Sequence, residues 1–452
     1  MRHNTQAHPL NAVLQSGHWN ARRYLTAVAE AQRALGMSVS AIRPEKVSRW
    51  LAGATPDTDT QLAMAHMHGV PAARVQDLGW PRWLRLALPD DDEDLLEAWT
   101  AQTAVSALTR LGGPMKRRTL ITYTPAAVTA AAALYSTAIP ADATHSRGRR
   151  IGPATADHID ERLAALRRLD DELGSGPVHE MARADLALIT HTLDNASYDE
   201  TVARRLFAAA GEAARIAGWT AFDNGNSAVA ERFYAGALRA AAAGDDPVTG
   251  ATTLSFWAMQ RYSEHDPQGG VHLIDEALRQ GDRTGSARMR AMLHARASRA
   301  HAKAGNARAC AHAETAALTA YAKAPHPAEE PVPGLYWVDL GELYSWFASN
   351  ATDLNLPRQA LHHYLAIPQA HRREHHDTPA YPRGTALRLT RTAATHLTLG
   401  DVDAAVAVAT DVVTHLADVA SARSDSTLDS LRRDLAKHDQ VPAVRDFLAL
   451  TG

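Results

Sequence analysis

One cysteine, Cys310, stands in a chain of 452 residues. Its solitude excludes an internal disulfide and fits a reducing, cytoplasmic setting, with the thiol serving as a small core residue of an alanine-rich helix. The N-terminus carries His3, His8 and Pro9 but no apolar h-region, so it does not read as a secretory signal. Alternating apolar runs are almost missing from about residue 155 onward, which excludes a sheet-based body there. There is no Gly-rich phosphate loop, no CxxC pair and no Ser/His/Asp arrangement, so neither an enzyme nor a cofactor is expected. Thr119–Pro140, which follows Lys116-Arg117-Arg118, has the length of a membrane span or a twin-arginine signal. It is internal, rich in Ala and Thr rather than Leu and Ile, and interrupted by Pro125. A buried or interdomain helix is therefore expected, with no membrane role.

A strong global charge is also missing, since the net is -3. The distribution is uneven: residues 1–88 hold ten Lys/Arg against five Asp/Glu, a net of +5, and the remainder holds 37 against 45, a net of -8. That asymmetry suggests a small basic head on a larger acidic body. Asp90-Asp91-Asp92-Glu93-Asp94 marks the junction and reads as a solvated linker. A chain of this length is too long for one core and should hold two or three domains.

The basic head reads as a series of short helices. Leu10, Val13 and Leu14 open the first, and Asn20 caps a second over Ala21 to about Leu35, with Gly36 after it. The Met37–Ile42 connection leads into a helix over Arg43–Ala52, closed by Gly53 and Pro56, with Pro44 at its first helical position. A fourth helix follows from about Thr60 to His68, with Leu62, Ala63 and Met67 facing inward, and a fifth covers Pro71–Leu78. In the Arg43–Ala52 helix, Val47, Trp50 and Leu51 form a narrow apolar stripe, which leaves Glu45, Lys46, Ser48 and Arg49 outside. Lys46 and Arg49 are candidates for base edges or phosphates, Ser48 and Arg43 for phosphate, and Arg22 and Arg23 for clamping the backbone. A small cationic helix among short helices is what a helix-turn-helix protein inserts into the major groove, and the layout is that of the lambda-repressor-like class.

The acidic body carries a repeat. Ala237-Leu238, Ala277-Leu278 and Ala317-Leu318 are spaced 40 residues apart. Each closes a helix preceded by a turn: Asp223-Asn224-Gly225-Asn226, His265-Asp266-Pro267 and Gly305-Asn306. Gly400-Asp401 before Ala404, Ala405 and Ala409 gives another, and Asp353-Leu354-Asn355 before Ala360-Leu361 gives one at a longer interval, partly accounted for by the Pro-rich insertion Pro325–Pro333. Small residues at fixed positions and Gly-Asn or Gly-Asp turns are the grammar of tetratricopeptide-like helix pairs. A non-repetitive helical bundle is the alternative. Stacked pairs form a concave groove, and Trp257, Gln260, Arg261 and Tyr262 on one such helix, with Tyr344, Trp346 and Asn350 on another, could hold a peptide or small signal molecule. The other aromatics of the body, Trp219, Phe222 and Trp337, read mostly as packing.

His371-Arg372-Arg373-Glu374-His375 spells H-x-x-E-H, the metal-binding signature of inverted zinc proteases, with His376 beside it. No glutamate follows Glu374 to complete the ligand set, and Asp377-Thr378-Pro379 ends any helix at once. A polar turn between repeat helices is the better reading, with no metal.

The chain also resembles a known family. Trp19-Asn20, the long second helix and Val47-Ser48-Arg49-Trp50-Leu51-Ala52-Gly53 look like the XRE-type helix-turn-helix of actinobacterial regulators. Gly79-Trp80-Pro81-Arg82-Trp83-Leu84 with Ala87-Leu88-Pro89 is similar to the segment that ends that module. The likeness runs on through Arg149-Arg150-Ile151-Gly152-Pro153, Leu166-Arg167-Arg168-Leu169-Asp170-Asp171, Ala217-Gly218-Trp219-Thr220-Ala221-Phe222-Asp223 and Val441-Pro442-Ala443-Val444-Arg445. It implies a transcriptional regulator with a tetratricopeptide sensor or dimerisation domain, typical of Streptomyces-like bacteria. The family usually has Asp or Ser where Arg43 stands.

The expectation is thus an all-α protein: a helix-turn-helix domain over residues 1–88, an acidic linker with bridging helices over 89–154, and a helical-repeat domain over 155–452. Its partners would be a double-stranded DNA operator, a second copy in a homodimer, and a peptide or small-molecule effector. The alternative is a repeat scaffold that binds other proteins without contacting an operator.

Overall fold

A computed structural model describes all residues except 1–8, 17–18, 69, 71, 88–94, 96–98, 113–121, 139–144, 146–147, 265, 327–328, 374–381, 417–421 and 452. The described residues are predominantly helical, and their sheet is one parallel pair in which β1 (Arg149–Arg150) runs beside β2 (Ala196–Ser197). No described helix is long and apolar enough to cross a membrane. Contacts divide the chain into two compact units, residues 1–97 with 123–131, and residues 98–122 with 132–452. Residues expected to form a separate bridge are therefore shared out between the two.

The first unit contains α1 (Pro9–Ser16), α2 (Ala21–Ala34), α3 (Glu45–Leu51), α4 (Thr58–Met67), α5 (Ala72–Leu78) and a 3-10 turn over Arg82–Ala87. Pro71, expected to start the fifth helix, lies outside the described residues. The Asn20 side chain accepts from the Arg23 amide at 2.8 Å and so caps α2, as its sequence position predicts. Leu10, Val13, Tyr24, Leu25, Val28, Val47, Trp50, Met64 and Trp83 meet in one core. His68 stacks on Tyr24, and burial holds its imidazole down to about 4, so it adds no charge at neutral pH.

One feature of this unit differs from expectation. The cationic helix starts at Glu45 rather than Arg43, because Pro44 has no N–H and the Lys46 amide donates to the Arg43 carbonyl at 2.9 Å, closing a tighter first turn from the backbone alone. Pro44 sits at the cap position without a side-chain cap, and Arg43 lies outside the helix. The connection expected over Met37–Ile42 is present and extends a little at both ends. Leu35–Pro44 contains no helix, whereas a compact helix-turn-helix joins its helices by about three or four residues. A buried polar node holds this connection in place: Gln32 accepts from the Ser40 amide at 2.8 Å and donates to Ser40 Oγ at 3.2 Å, and Thr60 Oγ1 on α4 lies 3.3 Å from Ser40 Oγ. Gln32→Leu keeps the volume and removes these bonds, at an expected cost of about 1–3 kcal/mol. Hydrogen exchange of the 37–43 amides should then rise by about tenfold or more. Unchanged protection would show that something else holds the segment.

The second unit begins with α6 (Ala101–Gly112) and includes α8 (Pro153–Leu173) and α9 (Ser175–Asn195). Helix α7 (Pro125–Thr137) spans the division between the units and starts at Pro125, the residue expected to interrupt the Thr119–Pro140 segment. Five helical hairpins follow: α10 (Glu200–Asp223) with α11 (Ser227–Gly244), α12 (Pro247–Ser263) with α13 (Pro267–Arg283), α14 (Ala287–Lys303) with α15 (Ala307–Tyr321), α16 (Leu340–Asp353) with α17 (Pro357–Arg373), and α18 (Pro382–Thr398) with α19 (Val402–Leu416). Finally α20 (Ala422–Leu435) and α21 (Pro442–Thr451) cover the last hairpin through Leu431, Leu435, Val444 and Phe447.

The turns explain the repeat. After α14, Gly305 takes φ +72°, its amide donates to Ala302, the Asn306 amide donates to His301, and the Asn306 side chain caps α15 by accepting from Ala309 at 3.1 Å. Asn224-Gly225-Asn226, Leu354-Asn355-Leu356 and Leu399-Gly400-Asp401 make the same pair of backbone bonds. Two adjacent residues therefore end one helix and begin the next. Ala237, Ala277 and Ala317 are fully buried on the second helices. At Gly211 on α10, a Cβ would lie 3.2 Å from the Ala237 carbonyl, so small residues set how closely the helices of this pair approach. Cys310 is buried on α15, and burial together with Glu314 pushes its thiol up to about 12, which keeps it protonated.

Candidate functional site

Two surfaces carry chemistry, one in each unit. In the first unit, Val47 and Trp50 are buried beneath α3, while Glu45, Ser48 and Arg49 are exposed, Lys46 is half-buried and Arg43 is exposed just before the helix. Arg22 and Arg23 are exposed on the first turn of α2, where the Arg23 guanidinium lies over the Trp19 ring at 5.1 Å. Among the described residues, Arg22, Arg43, Lys46 and Arg49 form no ion pair, so their charge is available to a partner. Four of the seven predicted positions thus share one short element, and Arg43 precedes it. Arg22 and Arg23 stand on a separate helix of the same unit.

The second unit holds a concave cavity of about 550 Å³, within the range of small-molecule sites. The first helices of the hairpins line it: α10 through Glu212, Arg215 and Trp219, α12 through Thr249, Thr252, Phe256 and Met259, α14 through Arg296, α16 through Glu342 and Trp346, and α18 through Arg388 and Arg391. Helix α8 adds Arg167, Asp170 and Asp171, and the insertion adds Pro331–Val332 and Gly334–Trp337. The insertion is firmly held: Arg288 donates to the Pro325 carbonyl at 2.9 Å and to the Val338 carbonyl, and Glu330 accepts from Ser286 at 2.6 Å.

Four rings form a continuous wall. Trp219 meets Phe256 at 5.4 Å between centroids, Phe256 meets Trp337 at 6.5 Å, and Trp337 meets Trp346 at 6.0 Å. The Arg296 guanidinium lies 4.3 Å from the Trp346 centroid, and that of Arg215 lies 4.9 Å from Phe256. Trp219 donates to Asp170 at 2.8 Å, and Tyr336 donates to Asp171 at 2.5 Å. Glu212 pairs with Arg215 at 2.7 Å and with Arg167 at 2.9 Å. Burial alone would raise its carboxyl, but the two guanidiniums hold it down to about 2. Burial and then Asp339 push the Glu342 carboxyl above its usual range.

Of the seven ligand candidates read from the sequence, the structure places Trp346 on the cavity wall and the other six elsewhere. Trp257 is fully buried and donates to Glu231 at 3.2 Å, and Gln260 donates to the Ser227 carbonyl at 2.9 Å. Arg261 pairs with Glu231 at 2.8 Å and with Asp266 at 2.7 Å, and Tyr262 accepts from Arg296 at 3.3 Å. Tyr344 stacks on His363 of the same hairpin, and Asn350 bridges Ser298, Arg299 and Glu314. These six hold helices to one another. The physical reason is angular: one residue along a helix is about 100° around it, so Phe256 faces the cavity and Trp257 faces α11. The series Thr249, Thr252, Phe256, Met259 and the pair Arg388, Arg391 have the spacing of single helical faces, which is the signal the sequence did contain. In the H-x-x-E-H run, Glu374, His375 and His376 lie outside the described residues. So do the acidic run at 90–94 and Lys116-Arg117-Arg118. No protein-family profile matches the chain, and no curated protein matches it.

Proposed function

We propose that the chain is a sequence-specific DNA-binding transcriptional regulator, with a helix-turn-helix-like head and a tetratricopeptide-like repeat unit that senses a small molecule. The observation that carries the DNA reading is the face of α3. Val47 and Trp50 seat the helix in the core, while Arg49, Lys46 and the preceding Arg43 present cationic groups without ion-pair partners among the described residues. The repeat reading is supported by the five hairpins, the shared turn and the buried alanines at the 40-residue spacing. The sensor reading is supported by the cavity their first helices line. Readers of this class bind paired half-sites, so a cytoplasmic homodimer is part of the proposal.

Selection from a library of random genomic fragments tests it. Specific fragments should be retained, and their retention should weaken steeply with salt as phosphate counterions are released. Lys46→Ala and Arg49→Ala should each cost about 1–3 kcal/mol of specific binding if they reach base edges. Equal affinity of both variants for a retained fragment removes this helix as the reader. No enrichment at low salt removes the DNA reading and leaves the scaffold.

A further inference from the structure

The arginines of the cavity differ in how they are neutralised. Arg167 and Arg215 share Glu212. Three others have no carboxylate at ion-pair distance among the described residues: Arg296, Arg388 and Arg391. Arg296 is 7% exposed; its Nη1 donates to the Tyr262 hydroxyl at 3.3 Å, and its Nε has no hydrogen-bond partner among the described residues. Arg391 donates to the neutral Ser349 hydroxyl at 3.1 Å. Arg388, one helical turn away, makes no hydrogen bond among the described residues.

None of the lining acids lies at ion-pair distance from these three arginines among the described residues. Asp170 accepts from Trp219, Asp171 from Tyr336 and Asp160 from Arg205, and the single Ser175 hydroxyl proton lies between Asp170 and Asp223, 3.0 Å from each. Glu342 shares the wall and forms no ion pair among the described residues; burial and then Asp339 push its carboxyl up, while Arg296, a hydrogen bond with Trp346 and Arg391 pull it partly back. A guanidinium stays protonated in proteins. Arg296 is buried and Arg388 and Arg391 are half-buried, and Glu342 acts on all three only from beyond ion-pair distance, so an anion entering the cavity meets three guanidiniums with no closer carboxylate among the described residues. The four-ring wall beside them presents mainly apolar faces, with Arg215 over Phe256 already paired to Glu212.

We infer that the cavity takes a small organic anion, its carboxylate or similar headgroup on Arg296, Arg388 and Arg391 and its apolar body against Trp219, Phe256, Trp337 and Trp346. This rests on the reading of the repeat unit as the sensor and deepens it. Planar guanidiniums suit a two-oxygen headgroup, and stacked rings suit a flat or chain-like body. The volume accommodates one such molecule better than a long extended peptide.

The test uses the full chain without DNA and two fluorescent probes, pyrenebutyrate and the neutral pyrenebutanol, read by anisotropy. The carboxylate should bind about tenfold or more tightly than the alcohol, the difference a charge-assisted hydrogen bond makes. Arg388→Gln and Arg391→Gln should each weaken pyrenebutyrate by about tenfold and leave pyrenebutanol within about twofold. Circular dichroism checks folding, and Arg388→Gln on the half-exposed site serves if the Arg391 variant unfolds. Equal affinity for both probes overturns the proposal, as does equal weakening of both by the variants or binding of neither. An acetylated hexapeptide that binds while pyrenebutyrate does not would overturn it in favour of a peptide groove. None of these outcomes bears on fragment retention through α3, so the ligand class and the DNA reading fail separately.

Discussion

Arg261→Ala is expected to destabilise the repeat unit by about 3–5 kcal/mol, the usual penalty for stripping one partner from a buried ion pair. Arg261 lies at the end of α12 and Glu231 on α11, and their closest atoms are 2.8 Å apart with Glu231 fully buried. Glu231 also accepts from Trp257 at 3.2 Å, so the carboxylate ties the first helix of one hairpin to the second helix of the one before. Without the guanidinium, a charge remains in a place where water cannot replace it. The second half of the argument is the rescue. Glu231→Leu with Arg261→Met should recover part of the loss, because it removes the buried unpaired charge, while Trp257 loses its acceptor and Asp266 its guanidinium. Chemical denaturation followed by Trp fluorescence measures both variants. A single mutant within about 1 kcal/mol of the native chain would mean the pair is solvated or dispensable.

Glu212→Gln is expected to remove about 3 kcal/mol of stability at neutral pH, the order of magnitude that corresponds to a carboxyl held from 4.5 down to about 2. The sign follows from the direction of the shift. Arg215 and Arg167 prefer the charged carboxylate, so the folded state binds that proton more weakly than the unfolded chain does. The contribution is present in full above about 4.5 and fades as the pH falls from there through about 2. The native chain should therefore lose stability across that window, while Glu212→Gln should show a flatter acid limb and converge on it near the bottom. A constant difference between the two across the window would falsify the electrostatic account. The same substitution would show whether the Glu212 pair supports the cavity wall, since Arg167, Glu212 and Arg215 all line it.

Much of the fold was legible because its signals are local. The Asn20 cap, the exposed side chains of α3, and the Gly-Asn and Gly-Asp turns depend on residues within a few positions of one another. Each of those dipeptides states both the end of a helix and the start of the next. The alanines 40 residues apart lie buried on the second helices, and Gly211 against Ala237 shows one such close approach. The cavity was legible only as a consequence of stacking. Its position on the first helices follows from the repeat, but the residues on its wall do not.

That second choice belongs to partners far away in the chain. Trp257 turns inward because Glu231 waits on α11, and Asn350 because Ser298, Arg299 and Glu314 surround it. Arg296 is indistinguishable in composition from Arg215, yet one lacks a carboxylate among the described residues and the other meets Glu212. Likewise, the Met37–Ile42 connection had no visible reason to be held until Gln32 and Thr60 closed on Ser40. The sequence by itself determined the helices, their ends and their pairing, because capping, periodicity and small-residue spacing act over one or two turns. Only the tertiary structure decided which face of each helix meets the cavity and which charges stay unpaired. A rotation of one residue costs nothing in local energy and is settled by packing and charge across the stack.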